Sequence, residues 1–160
     1  MPAPDEPVVS PLEERLRTDL KAVQRARDQV HIDTLRLALG AFHNEEVART
    51  DSAHKLHGQA LTETDRLVLI EKQIKQREEA AAIFRANQRP ELADKEAREA
   101  SILRAYLPAR MTDDEVRQLV VGLIATHGTE FRTVMPIASR ETKGRADGRR
   151  VSEIVRELTS

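Results

Sequence analysis

The sequence predicts an all-α protein, built as a four-helix N-terminal body followed by a small three-helix C-terminal unit. Helix-forming Ala, Leu, Glu, Arg and Lys dominate the chain, and apolar residues recur at spacings of three and four. Capping signals open several of these apolar segments. Glycine is scarce, with 6 in 160 residues. The few aromatic residues are Phe42, Phe84, Tyr106 and Phe131.

The body is expected to occupy residues 10–108, after a proline-rich tail over 1–9 that is expected to be disordered. Its first helix opens at "SPLE", where Ser10 is placed to cap and Pro follows at the first helical position. Glu13 stands where it would complete a capping box. The helix is predicted to end near Arg27.

A second helix is predicted over 29–49, with apolar residues on more than one face. Leu37 and Ala41 lie off the main stripe, so we expect this helix to be sandwiched between others. Residues 50–60 have no clear period and are predicted to form a flexible connection. The main stripe consists of Ile32, Leu35, Leu39 and Phe42.

The third and fourth helices complete the predicted body. Thr62 and Asp65 have the spacing of a capping box that opens the third helix. Pro90 is placed to start the fourth, which is expected to reach about Leu107 before Pro108 ends it. The fourth helix is predicted to pack through Leu92, Ala100, Leu103 and Leu107.

The small C-terminal unit is predicted over 109–160. Thr112 and Glu115 form another capping box, and Gly128 is expected to stop the helix that follows it. A short helix is predicted near 130–140, and a last one near 148–158. The last helix carries an apolar stripe formed by Val151, Ile154, Val155 and Leu158.

Composition excludes several classes of protein. The chain has no cysteine, which rules out disulfides and thiolate metal sites. No apolar run is long enough for a transmembrane helix, and the first residues do not resemble a signal peptide. The expected location is therefore the cytoplasm. With 26 basic and 27 acidic residues, any binding of an anion must depend on local clustering.

No catalytic residue, cofactor site or metal ligand is predicted. The chain lacks a G-x-S-x-G elbow, a Walker loop and a G-x-G-x-x-G fingerprint. His54 and His57 have a spacing that can share a metal on a helix, but they lie in a predicted loop. We interpret them as solvated loop histidines. The acidic pair in "HNEEV" is interpreted as a solvated helix face.

The strongest chemical signal is "KGRADGRR", at 143–150, where cations crowd around two glycines before a predicted helix. Between 140 and 150 five residues are basic and two are acidic. The glycines can bend the chain so that backbone N–H groups point outward, and a helix N-terminus adds further N–H groups and its dipole. The predicted RNA- or anion-binding residues are Arg132, Arg140, Lys143, Gly144, Arg145, Gly148, Arg149 and Arg150.

A structural explanation of the same segment stays open. Asp147 would be a simple helix cap, and Arg149 would pair with Glu153 on the helix surface. Asp147 caps the helix under either interpretation.

Four motifs in order give the chain a resemblance to the YqeY family. They are "TLRLALGAFHNEEV", "KQIKQREEA", "ILRAYLPARMTDDEV" and "TKGRADGRRVSEIVREL". The resemblance implies a two-part helical fold shared with the C-terminal region of the B subunit of tRNA-dependent Asp/Glu amidotransferases. Those enzymes are carbon–nitrogen ligases that use glutamine as amido-nitrogen donor. Their helical region holds tRNA, while ATP-dependent activation occurs in a catalytic domain that this chain is too short to contain.

The resemblance implies a stand-alone bacterial protein that binds tRNA or another RNA and is related to amidotransferases by homology. Whether it is an enzyme stays open, and the missing catalytic motifs are the argument against catalysis by this chain alone. A component of an amidotransferase or an aminoacyl-tRNA synthetase is the candidate protein partner, and no membrane partner is expected. The alternative is a helical protein–protein interaction module without RNA binding. Neutral overall charge and the lack of aromatic residues for base stacking favour that alternative.

One motif departs from the family. Where the family commonly has M-G-x-V-M-G, this chain reads "FRTVMP", so Arg132 and Pro136 replace both glycines. Either a close approach of an RNA backbone is lost with them, or Arg132 adds a phosphate contact. The sequence leaves both readings open.

Overall fold

The computed structural model describes residues 10–159, so the predicted disordered tail lies outside the described residues. All regular secondary structure within 10–159 is helical, which confirms the all-α prediction. The helices are α1 (Pro11–Ala26), α2 (Gln29–Ala48), α3 (Glu63–Ala86), α4 (Pro90–Arg104), α5 (Asp113–His127), α6 (Phe131–Glu141) and α7 (Gly148–Leu158).

Contacts divide the chain after Leu107 into two compact units, each with its own core. Unit 1 contains α1 to α4, and its most extensive packing joins α3 to α4. Its buried core includes Leu16, Leu35, Phe42, Ile70 and Leu103. Unit 2 contains α5 to α7, whose buried residues are Val116, Val120, Val134, Ala138, Val151, Ile154 and Val155.

The start of α1 differs from its prediction. Ser10 Oγ does accept from the Glu13 N–H, at 3.1 Å. The Glu13 carboxylate does not return to Ser10, because it pairs instead with Arg17 at 2.6 Å and with Arg66 at 3.2 Å. Glu63 takes its place: it accepts from Ser10 Oγ at 2.5 Å and from the Leu12 N–H at 2.8 Å. The orphan N–H groups of α1 are thus satisfied partly by Ser10 and partly by Glu63 of α3.

The prediction that α2 is sandwiched is wrong on one face. Leu37 is 57% exposed, whereas Leu35 and Phe42 on the main stripe are buried. Which side of a helix is covered depends on distant parts of the chain, and apolar periodicity cannot report it.

The segment 50–60, predicted as a flexible connection, is a series of hydrogen-bonded turns. Gly58 N–H donates to the Arg49 carbonyl at 3.0 Å, which closes the loop. The nearly buried Arg49 side chain lies 2.9 Å from Glu45 and 3.2 Å from Asp65. These charged contacts tie the end of α2 to the start of α3.

At α3 and α4 one capping box is confirmed and one packing residue is wrong. Thr62 and Asp65 exchange the predicted side-chain to backbone bonds at 3.0 and 3.1 Å. Leu92, in contrast, is 38% exposed, because the buried face of α4 follows Ala93, Ala100 and Leu103.

Unit 2 follows its predicted helices closely. Thr112 and Glu115 form the predicted capping box. Gly128 ends α5 with φ +90° and ψ 177°, a conformation essentially reserved for glycine. The short predicted helix near 130–140 is α6, which includes Pro136. The apolar stripe of α7 packs into the core as predicted.

Candidate nucleic-acid interface

The chain leaves α6 through a tight turn anchored on Thr142. The Thr142 hydroxyl donates to the Ala138 carbonyl at 2.7 Å. The backbone carbonyl of Thr142 accepts hydrogen bonds from the N–H groups of Arg145 at 2.9 Å and Ala146 at 3.0 Å. Gly144 has φ +74°, in the left-handed region that glycine adopts without steric cost. The sequence therefore specifies the turn locally.

Two further contacts fix the turn within unit 2. The Met111 N–H donates to the Arg145 carbonyl at 2.7 Å, which joins the turn to the residues just before α5. Asp147 caps α7 as predicted: its Oδ1 accepts the Arg150 N–H at 3.0 Å. The Asp147 carbonyl also accepts the Val151 N–H, at 2.9 Å.

Some backbone N–H groups of residues 143–150 are already bonded within the protein. The N–H groups of Arg145 and Ala146 bond inside the turn, and that of Lys143 faces the Arg140 carbonyl at 3.4 Å. Within residues 10–159, the N–H groups of Gly144, Asp147, Gly148 and Arg149 have no acceptor. The donors available to an anion are therefore the Gly144 N–H and those at the N-terminus of α7.

Arg150 has a structural use within unit 2. Its guanidinium lies 2.8 Å from Asp113 and 2.9 Å from Glu153. The hydrogen bond to Asp113, and then that to Glu153, raise the pKa of Arg150, and the same Arg150 bond lowers the pKa of Asp113. The structural alternative predicted an ion pair between Arg149 and Glu153. This prediction is wrong, because the Glu153 carboxylate pairs with Arg150.

Lys143, Arg145 and Arg149 are exposed cations on and just after the turn. None of them makes an ion pair with any residue in the described part of the chain. Arg145 still affects Glu115: the Thr112 backbone and side-chain hydrogen bonds lower the Glu115 pKa, and the charge of Arg145 adds to the effect. We call Lys143, Arg145 and Arg149 the basic turn.

The other two predicted cations lie on α6. Arg140 is close to the basic turn in sequence, with a 76% exposed side chain 3.8 Å from Glu141. Arg132 is at the opposite end of α6, roughly 12 Å away along a helix that rises about 1.5 Å per residue. Positions 132 and 136, glycine in the family motif, are both helical here. Arg132 is thus separate from the basic turn.

The loop histidines do not form a metal centre. The Leu56 N–H donates to His54 Nδ1 at 3.0 Å, and His54 Nε2 lies 3.6 Å from Glu45. His57 Nδ1 is 3.1 Å from the Arg49 carbonyl. No cluster of three possible ligand residues occurs within 10–159. The carboxylate beside His54 was not expected from the sequence.

Two contacts within unit 2 were missed by the sequence. Asp113 holds Arg150 from 37 positions away. Arg156 lies over the Phe131 ring, 5.4 Å from its centroid, at the start of α6. The only sequence signal for the first contact was the cluster of acidic residues at the start of α5, which favours cations nearby.

Taken together, the fold and the turn define a chain that is all-helical within residues 10–159, with exposed cations at the start of α7. The chain belongs to the Yqey-like protein family, whose profile matches residues 13–159. The family relationship inferred from the motifs is therefore confirmed.

A curated relative is "Altered inheritance of mitochondria protein 41, mitochondrial" from Clavispora lusitaniae. It is 27% identical over 114 residues, which cover 70% of this chain and 62% of the relative. The chain thus spans less than two thirds of that relative's length. Within 10–159, no helix combines the length and apolar character needed to cross a bilayer.

Proposed function

We propose that unit 2 binds RNA, with tRNA as the favoured ligand, by holding backbone phosphates at the basic turn. The observation that carries the proposal is the exposure of Lys143, Arg145 and Arg149 without ion pairs in the described chain. Arg150 supports the turn through its carboxylate partners and contributes less to binding. Arg140 extends the basic surface along α6.

Physical chemistry favours a phosphate here over other partners. The free N–H groups of Gly148 and Arg149 point from a helix start, where the dipole attracts anions. The positive charge of Arg149 lies at the positive end of the same helix dipole. The repulsion lowers the stability of the helix unless an anion lies between the guanidinium and the helix end. A phosphate satisfies both the N–H groups and the cations.

Several broader statements belong to the same proposal. The protein acts in the cytoplasm as an RNA-binding relative of glutamine-dependent tRNA amidotransferases. Its protein partner is a component of an amidotransferase or an aminoacyl-tRNA synthetase. Membership of the Yqey-like family supports this reading. The mitochondrial name of the fungal relative describes that protein alone.

The test is binding of unfractionated tRNA to a triple variant, Lys143→Ala, Arg145→Ala and Arg149→Ala, measured at several salt concentrations. We expect the wild-type protein to bind weakly, with a log–log salt slope of about −2 to −3 for three phosphates. The triple variant should lose most of this slope. Little sequence preference is expected, because phosphate contacts carry no base information.

A matched control removes the same charge elsewhere. Lys21, Arg25 and Lys75 are exposed and have no ion pair within 10–159, so their triple alanine variant should bind tRNA normally. Circular dichroism checks that both variants are folded. A folded basic-turn variant with unchanged affinity and salt slope would favour the protein–protein interaction module instead.

A further inference from the structure

A groove on unit 1 lies between α2 and α3 and has no role in the proposed RNA binding. Its volume is about 380 Å³. One wall comes from α2 and the other from α3. We call it the α2–α3 groove, and the residues that matter are Arg36, Leu37, Gly40, Asn44, Gln73 and Arg77.

The α2 wall contributes a partly apolar seam, in which the polar Asn44 separates Leu37 from Val47, and Val47 lies just outside the residues that line the groove. Leu37 is 57% exposed and Val47 is 53% exposed. With Gly40 and Asn44 between them, these residues recur at offsets of three and four, so they lie on one face of α2. Such a seam in a helix normally packs against a second helix.

Gly40 is the most informative residue of this wall. A side-chain carbon placed there would meet no atom within 4 Å. Glycine inside a helix lowers stability by about 1 kcal/mol relative to alanine. The packing within unit 1 would leave room for a side chain at position 40, so it does not explain why glycine is present. Because glycine has no side chain, the backbone of a second helix can approach α2 closely at Gly40.

The α3 wall has unused hydrogen-bonding groups. Gln73 Oε1 and Arg77 Nε are buried and have no hydrogen-bond partner within 10–159. Their remaining groups are engaged: Gln73 Nε2 donates to the Leu37 carbonyl at 3.2 Å, and Arg77 lies 2.9 Å from Glu99. Buried polar groups in native structures nearly always find a partner.

The charge of the groove indicates the charge expected of a bound partner. Arg36 is exposed at the rim and makes no ion pair with a described residue. None of the described residues that line the groove is acidic. We propose that the α2–α3 groove binds an acidic amphipathic α-helix of another protein, with a small residue over Gly40 and a carboxylate on Arg36.

A helix of another protein fits this groove better than a second copy of the chain. Two concave grooves cannot fill each other in a two-fold dimer, and a groove that receives a different surface of the next copy leads to open polymers. The groove between α2 and α3 can instead bind the convex face of a single helix, as in many peptide-binding proteins.

The probe is a display library of helical peptides of about 20 residues, long enough to cross a small domain, with one face randomised. Peptides are selected in parallel for binding to the full wild-type chain and for binding to the Gly40→Leu variant. Gly122 provides the control: it also lies within a helix with nothing within 4 Å of an added carbon, but on unit 2. Gly122→Leu should therefore leave peptide binding unchanged.

We expect wild-type selection to enrich peptides with net negative charge. Their affinity should fall at least about tenfold for Gly40→Leu and for Arg36→Glu, as for loss of an interface hot spot. Failure to enrich a helical binder, enrichment of basic or neutral peptides, or equal binding to Gly40→Leu would each overturn the proposal. So would a wild-type dimer in sedimentation that Gly40→Leu abolishes, because a second copy would then fill the groove.

Discussion

At the scale of single residues, neighbouring arginines on α7 have opposite surroundings. Arg149 is exposed, with no ion pair in the described chain, while Arg150 lies against Asp113 and Glu153. Both residues oppose the positive end of the helix dipole. Only Arg150 has carboxylates to offset that repulsion, so residue type alone does not decide which arginine is available to a ligand.

This difference predicts opposite effects on stability. Arg150→Ala should lower the melting temperature slightly, because two ion pairs are lost. Arg149→Ala should leave it unchanged or raise it, because an unfavourable charge is removed from the helix start. Thermal unfolding at low ionic strength measures both, and high salt should reduce the difference. Equal destabilisation by the two substitutions would contradict this assignment of roles.

At the scale of elements, helix ends were predictable where the capping residues are neighbours in sequence. The boxes at Thr62 and Thr112 formed as their spacing indicated. At α1 the local signal was incomplete, because the second cap comes from Glu63, 53 positions after Ser10. Sequence motifs report bonds across one helical turn, and they carry no information about a carboxylate that tertiary folding supplies.

Gly122 inside α5 and Gly128 just after its last residue give a matched pair of substitutions. Gly128 holds φ +90°, so Gly128→Ala should destabilise unit 2 by about 1–3 kcal/mol through backbone strain. Gly122 lies inside the helix with open space around it, so Gly122→Ala should stabilise the helix by up to about 1 kcal/mol. Urea unfolding of the two variants tests both signs. Stabilisation by Gly128→Ala would refute the conformational argument.

At the scale of the whole molecule, the chain forms two cores with separate sets of buried residues. The apolar stripes of the helices were readable from their period, and most stripe residues are buried. The exposure of Leu37 and Leu92 was not readable, since it depends on which neighbour each face meets.

The charged interior was equally hidden from the sequence. Arg66 is nearly buried, donates to the Leu61 carbonyl at 2.7 Å and lies over the Phe42 ring at 5.8 Å. Its carboxylate partners are Glu13 and Glu46, on other helices. The basic turn itself could be located from the sequence. Which of its cations are already paired could not, because Asp113 is distant along the chain.

Separate cores predict separate unfolding. Ile154→Ala removes a fully buried side chain of unit 2 and should cost about 2–5 kcal/mol there. Hydrogen exchange should then speed up across 113–158 and stay unchanged across 11–104. Leu35→Ala should produce the reverse pattern. Loss of protection in both units from either substitution would indicate one cooperative unit.

The purified protein should have no glutaminase or amidotransferase activity. The sequence contains no recognisable activated nucleophile and no nucleotide-binding loop. Ammonia release from glutamine, with and without ATP and tRNA, is the direct assay. Release that disappears on substitution of one of the chain's own residues would show that the protein is a catalyst.

The contact between Glu63 and the start of α1 has a consequence for biosynthesis. Residues 10–26 emerge from the ribosome well before Glu63, so the nascent helix has the Ser10 hydroxyl but lacks the carboxylate that holds Ser10 and Leu12. Short isolated helices are marginal in water. We therefore expect α1 to remain frayed on the growing chain until the first turn of α3 has been made, so α1 is completed only after α2 has been synthesised.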